Sequence, residues 1–343
     1  MSQLLEVVNL WKSFDGLVAT QDVSFTVAAG SITALIGPNG AGKTTVFNLI
    51  SRIYTPTAGE ITYLGPQGPL KLTEQPPHAI ASLGIARTFQ NIELFEHATV
   101  LHNLLIGRHT HRKTGFWSEL FFTPATRAAE LEAREKAEQV IDFLDLQHYR
   151  DTLVAGLPYG VRKVVEMARA LCTEPKLLLL DEPSSGLNVE ETDDMAFWIA
   201  DIKNDLGITV LMVEHDMTLV SKVSDRVLAM NQGEVLAMGT PREVQADPAV
   251  IEARHATALA QLQADEQERR AEREDGFPGK GLSQTADRMI KGHQTDNDVA
   301  PPRQEFADEI QPGEYGGKKR EGDDDVEGAE REVSIGREKD HDP

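Results

Sequence analysis

The sequence predicts an α/β fold built around a phosphate-binding loop. Three stretches carry that expectation. Ala34–Thr45 is an apolar strand that runs into a glycine-rich turn and then into helix-compatible residues as far as Ile50. Leu177–Leu180 is a run of four aliphatic residues ending in Asp181 and Glu182. Val210–Val213 is a third apolar run, ending in Glu214, His215 and Asp216. Runs this short and this apolar read as buried strands.

The elements follow in order. Leu5–Trp11 and Val18–Val27 read as strands about a turn at Asp15 and Gly16, and Gly30 precedes the strand that enters the loop. Further short strands span 60–72, broken by Gly65, Pro66, Gly68 and Pro69. From about 78 to 170 the pattern is helical, with Thr99–Gly107 and Pro124–Leu146 the clearest segments and another helix following Gly160. Val189–Leu206 reads as a helix closed by Gly207, and Arg226–Met230 with Glu234–Met238 as a hairpin about Gly233. Thr240, Pro241 and Glu243 combine a capping box with proline at the first helical position. There is no internal repeat. Residues 255–275 suit a charged helix, and 276–343 are too poor in large apolar residues to offset the entropy of ordering, so disorder is expected there.

The glycine-rich turn fits the template of Gly, four residues, then Gly-Lys-Ser/Thr, met by Gly37, Gly42, Lys43 and Thr44. Its residues are Gly37, Pro38, Asn39, Gly40, Ala41, Gly42, Lys43, Thr44 and Thr45. Glycines let the backbone curl so that N–H groups converge on phosphate oxygens, and the following helix adds its positive end. Lys43 can reach the β- and γ-phosphates, and Thr44 can offer its hydroxyl to Mg²⁺. The strand ending in Asp181 is expected beside the loop's own strand, with Asp181 reaching that Mg²⁺ through water. Glu182 then sits near the γ-phosphate to polarise the attacking water, and His215 is placed to orient it.

Bulk properties narrow the class. The net charge is −21, with −11 on residues 1–254 and −10 on 255–343. Neither part offers the basic face that a nucleic-acid binder needs. The single cysteine, Cys172, fits a reducing compartment and reads as buried and inert. No apolar run approaches the ~18 residues of a membrane span, and the first residues do not resemble a secretory signal. His109 and His111 stand in a basic run with Arg108, Arg112 and Lys113, which reads as a solvated face rather than a metal site.

In order, these motifs resemble the ABC transporter ATPases over about residues 4–254, a phosphate-loop NTPase fold. The resemblance implies a mixed core sheet, an antiparallel β subdomain and an inserted helical subdomain at about 86–165. Phe14 stands where the family stacks an aromatic on adenine, or else serves the hairpin core. Gln90, in Arg87-Thr88-Phe89-Gln90, matches the residue that touches Mg²⁺ and senses the γ-phosphate. Leu157-Pro158-Tyr159-Gly160 holds the signature position, so Tyr159 and Gly160 are implied to contact nucleotide. Ser185-Gly186-Leu187-Asn188 stands at the D-loop. The residues Gly84–Gln90, an insert at Thr114–Trp117, Glu214–Met217 and Gly239–Pro241 resemble the branched-chain amino-acid importer ATPases, the first ATPase subunit in particular.

That resemblance implies ATP and Mg²⁺ as ligands, an identical or paralogous ATPase subunit as dimer partner, and permease subunits in the membrane. A solute-binding protein is implied indirectly. The expected location is the cytoplasmic face of the cell membrane, held there by the permeases. Importers of urea or short amides share most of these residues, and a soluble ABC ATPase uncoupled from transport is the further alternative. Pro158 replaces the usual signature serine, and Asn188 the usual D-loop aspartate. If a helix starts at Pro158, then Arg162 and Lys163 oppose its dipole by about 0.3–1 kcal/mol each. Such a cost suggests that both cations meet phosphate or acidic groups across the dimer interface.

Overall fold

A computed structural model describes residues 2–65, 68–90, 92–111 and 123–256. The insert at Thr114–Trp117, nearly all of the expected charged helix at 255–275 and the tail at 276–343 lie outside these residues.

Two sheets organise the chain. β1 (Gln3–Phe14), β2 (Leu17–Ala28), β4 (Ala58–Gly65) and β5 (Gly68–Lys71) form an antiparallel sheet in the order β2-β1-β4-β5. The β1–β2 turn falls at Asp15 and Gly16, both with positive φ, as read from the sequence. The second sheet is six-stranded, in the order β10-β9-β3-β8-β7-β6. It comprises β3 (Ile32–Ile36), β6 (Ile85–Arg87), β7 (Leu177–Asp181), β8 (Thr209–Val213), β9 (Arg226–Asn231) and β10 (Glu234–Gly239). All its pairings are parallel except the β9–β10 hairpin.

Its central strands are buried on both faces, and a period of two sorts their side chains. Ile32, Ala34, Leu178, Leu180, Val210 and Met212 point into one core, shared with the helices. Leu35, Leu177, Leu179, Leu211 and Val213 point into the other, shared with Phe47 and with Leu5, Val7, Phe25 and Ile61 of the antiparallel sheet. Two cores therefore clamp one sheet, and the carboxyl ends of its strands are left to carry chemistry.

The helices are α1 (Lys43–Ile50), α2 (Val100–Gly107), α3 (Pro124–Phe143), α4 (Tyr159–Leu171), α5 (Val189–Asn204), α6 (Met217–Val223) and α7 (Pro241–Ala246). Local signals set several ends. Thr99 caps α2 through its side chain, and Thr240 makes both bonds of the expected capping box with Pro241 in the first turn. Among the described residues no helix is long and apolar enough to cross a membrane.

Four expectations are corrected. β7 does not lie beside β3, because β8 intervenes and pairs with both. The α5 crossover returns the chain next to β7, and the free edge of β8 then meets β3. The stretch from 78 to 170 is not uniformly helical: Ile85–Arg87 is an edge strand on β7, visible only through that pairing. Pro158 is the N-cap of α4, with an extended backbone, and not its first helical residue. Arg108 is no part of a solvated face. It is buried, donates from Nη1 to the Cys172 carbonyl at 3.0 Å and pairs with Glu174 at 3.4 Å.

Cys172 itself is 1 % exposed, and burial pushes its thiol up to about 12. The thiolate that reacts is therefore scarce near neutrality. A thiol reagent at pH 8 is expected to label Cys172 far more slowly in the native protein than in guanidinium. Full labelling within minutes without denaturant would refute this.

Candidate active site

The phosphate loop is shaped by close approach. Gly37 has φ +150°, and a Cβ there would stand 2.2 Å from the Met230 carbonyl oxygen. Gly42, the N-cap of α1, has φ +97°, and a Cβ there would stand 2.5 Å from the Ala19 carbonyl oxygen. Side chains are excluded on both sides of the cradle. No side chain caps α1 and no acid lies in its first turn, so its N–H groups are offered outward. Asn39, Gly40 and Thr44 are exposed, Pro38 and Thr45 half-buried, and Ala41 buried. Lys43 is buried and donates to the carbonyls of Gly37 at 2.8 Å and Pro38 at 2.9 Å, which pins the cation across its own loop. Burial lowers its pKa, with Glu182 and Asp181 pulling the other way.

β7 and β8 deliver the acidic end of the site. Asp181 is 3 % exposed, and its Oδ2 accepts from Arg87 Nη2 at 2.8 Å. Arg87 also donates to Asn48 and Ser51 at the far end of α1, and its guanidinium lies between the Phe47 and Phe89 rings. Glu182 follows with φ +51°, a left-handed backbone that costs a non-glycine residue about 1 kcal/mol or more. Its N–H donates to the Val213 carbonyl at 2.9 Å, and its carbonyl accepts from Lys163 Nζ at 2.8 Å. The carboxylate is thereby presented to two partners. Gln90 Nε2 donates to Oε2 at 2.9 Å, and His215 Nε2 shares a hydrogen bond with Oε1 at 2.8 Å. An open cavity of about 560 Å³ joins Gly37, Pro38, Asn39, Gln90, Glu182 and His215.

Phe14, Tyr159 and Gly160, expected to contact nucleotide, have other neighbours and do not line that cavity. Phe14 packs edge-on against Tyr54 at 5.1 Å, with the Lys12 ammonium over its ring. Tyr159 is exposed and its ring lies against Gly186, while Gly160 packs against Glu191 and lines a separate cavity of about 140 Å³. Two side chains read as interface cations are engaged within their own chain. Lys163 is 5 % exposed and bound to Glu182, and Arg162 donates to the Val154 and Ala155 carbonyls. The unfavourable helix position is offset by these acceptors, so an interface role is not needed to explain it. Asn188 is likewise explained locally, since it caps α5 in a capping box with Glu191. The spacing of Asn188 and Glu191 carried that signal.

The ABC transporter family matches residues 20–185, and the branched-chain amino acid ATP-binding cassette transporter family matches residues 234–253. The high-affinity branched-chain amino acid transport ATP-binding protein BraF of Pseudomonas aeruginosa is 42 % identical over 250 residues, covering 73 % of this chain and 96 % of that protein. The chain belongs to the ABC transporter ATP-binding proteins. LivG of Escherichia coli K12, of the same description as BraF, is 42 % identical over 254 residues, with 74 % of this chain and 98 % of that protein covered. A crystal structure of a nucleotide-free ATP-binding cassette from an ABC transporter is 32 % identical, with a TM-score of 0.63 over 73 % of this chain and 98 % of that one. The cassette's sequence motifs are thus matched by its fold, including the mixed sheet beside an antiparallel one.

Proposed function

We propose that this cassette is the ATP-hydrolysing subunit of an importer for branched-chain amino acids, turning ATP and water into ADP and phosphate. The observation that carries hydrolysis is Glu182, held between Gln90 and His215 at the rim of the phosphate-loop cavity. A carboxylate so placed can accept the proton of an attacking water, and His215 can fix that water and the γ-phosphate. Lys43 and the N–H groups of Gly40–Thr45 bind the β- and γ-phosphates. The buried Asp181, the exposed Thr44 hydroxyl and Gln90 are a donor set of oxygen ligands, which suits Mg²⁺. When bound, that ion offsets charge on the phosphates. Catalysis by the chain is then positioning and charge stabilisation.

The second half of the site comes from a facing ATPase subunit, identical or paralogous. Tyr159 and Gly160 serve that subunit's nucleotide, in keeping with their absence from the lining of the cavity in their own chain. Motion passes through the segment around Gln90 to permease subunits at the cytoplasmic face of the membrane, which a solute-binding protein supplies. The solute class is supported by relatives matched over nearly their whole length. Cells lacking this gene are expected to lose uptake of labelled leucine, isoleucine and valine. Normal uptake of these with loss of urea or amide uptake would refute the solute.

Residues 1–254 are assigned to the cassette, and the acidic tail to a dispensable extension. Truncation after Asp275 is expected to leave melting temperature and basal ATPase activity unchanged; a large drop in either would refute it. Pro158→Ser is expected to change hydrolysis by no more than severalfold. A serine N-cap adds about 1 kcal/mol to α4, while loss of proline frees the unfolded chain by ~0.4–1 kcal/mol. The two nearly cancel, and a tenfold change in turnover would show that the hydroxyl acts on nucleotide.

A further inference from the structure

Glu214 follows the last residue of β8 and is 2 % exposed. A carboxylate at such depth needs partners, and its partners are unusual in where they lie. Oε1 accepts from the Ser184 N–H at 2.8 Å, and Oε2 accepts from the N–H groups of His215 at 2.9 Å and Asp216 at 3.3 Å. Ser184 belongs to the loop that follows β7, two residues beyond Glu182. His215 and Asp216 begin the loop that follows β8. One side chain therefore ties together the two loops whose own side chains, Glu182 and His215, meet at 2.8 Å. Backbone N–H groups in buried turns need acceptors, and here a single anion supplies them to both loops.

The surroundings fit that task. Glu214 also lines the wall of the phosphate-loop cavity, next to Glu182 and His215. The Glu214 charge reaches Lys163, which bonds the Glu182 carbonyl at 2.8 Å, so a cation that fixes the same loop stands near the anion. The glycine cradle itself is shaped by other residues, Gly37, Gly42 and Lys43. Binding of nucleotide and alignment of the hydrolytic pair are thus assigned to different side chains.

We propose that Glu214 is a positioning residue for hydrolysis, its carboxylate setting Glu182 against His215 by holding the backbone of both loops. This rests on the reading of Glu182 as the group that activates water. It adds a residue whose carboxylate is engaged by backbone N–H groups of both loops and whose removal should separate turnover from binding. A glutamine at 214 keeps the shape but presents an amide NH₂ to one set of N–H donors, so one loop is released.

The test is Glu214→Gln in the full chain, beside Glu182→Gln and the wild type. For each, turnover is measured per subunit that binds a fluorescent ATP analogue, together with KM for ATP. Glu214→Gln is expected to lower kcat by about 10²-fold, the scale of a small misplacement of a reacting group. KM and binding stoichiometry should stay within about twofold. The imidazole ¹⁵N signals of His215 should shift, reporting its changed hydrogen bond. Wild-type kcat per binding subunit, even with a lowered melting temperature, would overturn the proposal and leave Glu214 a fold residue. So would a loss of kcat matched by an equal loss of binding sites. If Glu214→Gln does not fold, Glu214→Asp is measured by the same criteria. Wild-type turnover in Glu182→Gln would instead remove the reading on which this rests, whatever Glu214 does.

Discussion

Glu182→Gln is expected to cut ATP hydrolysis by about 10²–10⁴-fold while ATP still binds. The amide cannot take the proton of an attacking water. It also cannot accept from both present partners, because one of its two positions is now an NH₂ group. The bond to Gln90 at 2.9 Å or to His215 at 2.8 Å must then reverse direction, Gln90 turning its amide over or His215 offering Nε2 as acceptor. The cradle keeps its shape, since Lys43 still bonds the Gly37 and Pro38 carbonyls and only the attraction of the Glu182 charge for its ammonium is removed. The variant should therefore accumulate as an ATP-bound dimer, seen by light scattering as a doubled mass that decays only when ATP is removed. Substantial turnover by the variant would show that another group activates the water.

Lys43→Ala should act one step earlier, on binding itself. The ammonium is the only side-chain donor that the Gly37 and Pro38 carbonyls have among the described residues, and it is buried against them. Its loss takes away the cation proposed to bind the β- and γ-phosphates and leaves the Gly37 and Pro38 carbonyls without it. A wild-type cassette in ATP at 100 times Kd gains about 2.7 kcal/mol of stability from ligation. The variant is expected to gain almost none of it, read as loss of the ATP-dependent rise in melting temperature. An unchanged rise would place the nucleotide elsewhere. The two variants together separate binding from chemistry: one fails to bind, the other binds and fails to turn over.

The contiguous parts of this site were legible from the chain alone. Gly37–Thr45 reads as a phosphate loop because strand, glycines, lysine and helix start follow one another within a dozen residues. Leu177–Glu182 and Val210–His215 read as buried strands with polar ends for the same reason, and the capping box at Thr240 needs only its own four residues. Short-range geometry is encoded in short-range spacing. The D-loop asparagine belongs to this class too, since Asn188 and Glu191 carry an overlooked capping box.

Tertiary structure alone decided the rest, because it depends on which distant groups are brought together. Strand order put β8 between β3 and β7, and with it His215 against Glu182, 33 residues apart. Arg87 finds Asp181 across 94 residues, and the Phe89 N–H finds the Glu166 carboxylate across 77. Lys163 shows the limit most plainly. In sequence it is one more cation in a basic turn, and a solvated or interface role follows naturally. In the fold it is buried and bonded to the carbonyl of Glu182. Glu214 is the mirror case, an acid at a strand end whose three donors come from two loops. Local spacing determines helices, strands and caps; where a charged side chain ends depends on the acceptors and donors that long-range packing leaves for it, since a buried charge persists only where such partners stand.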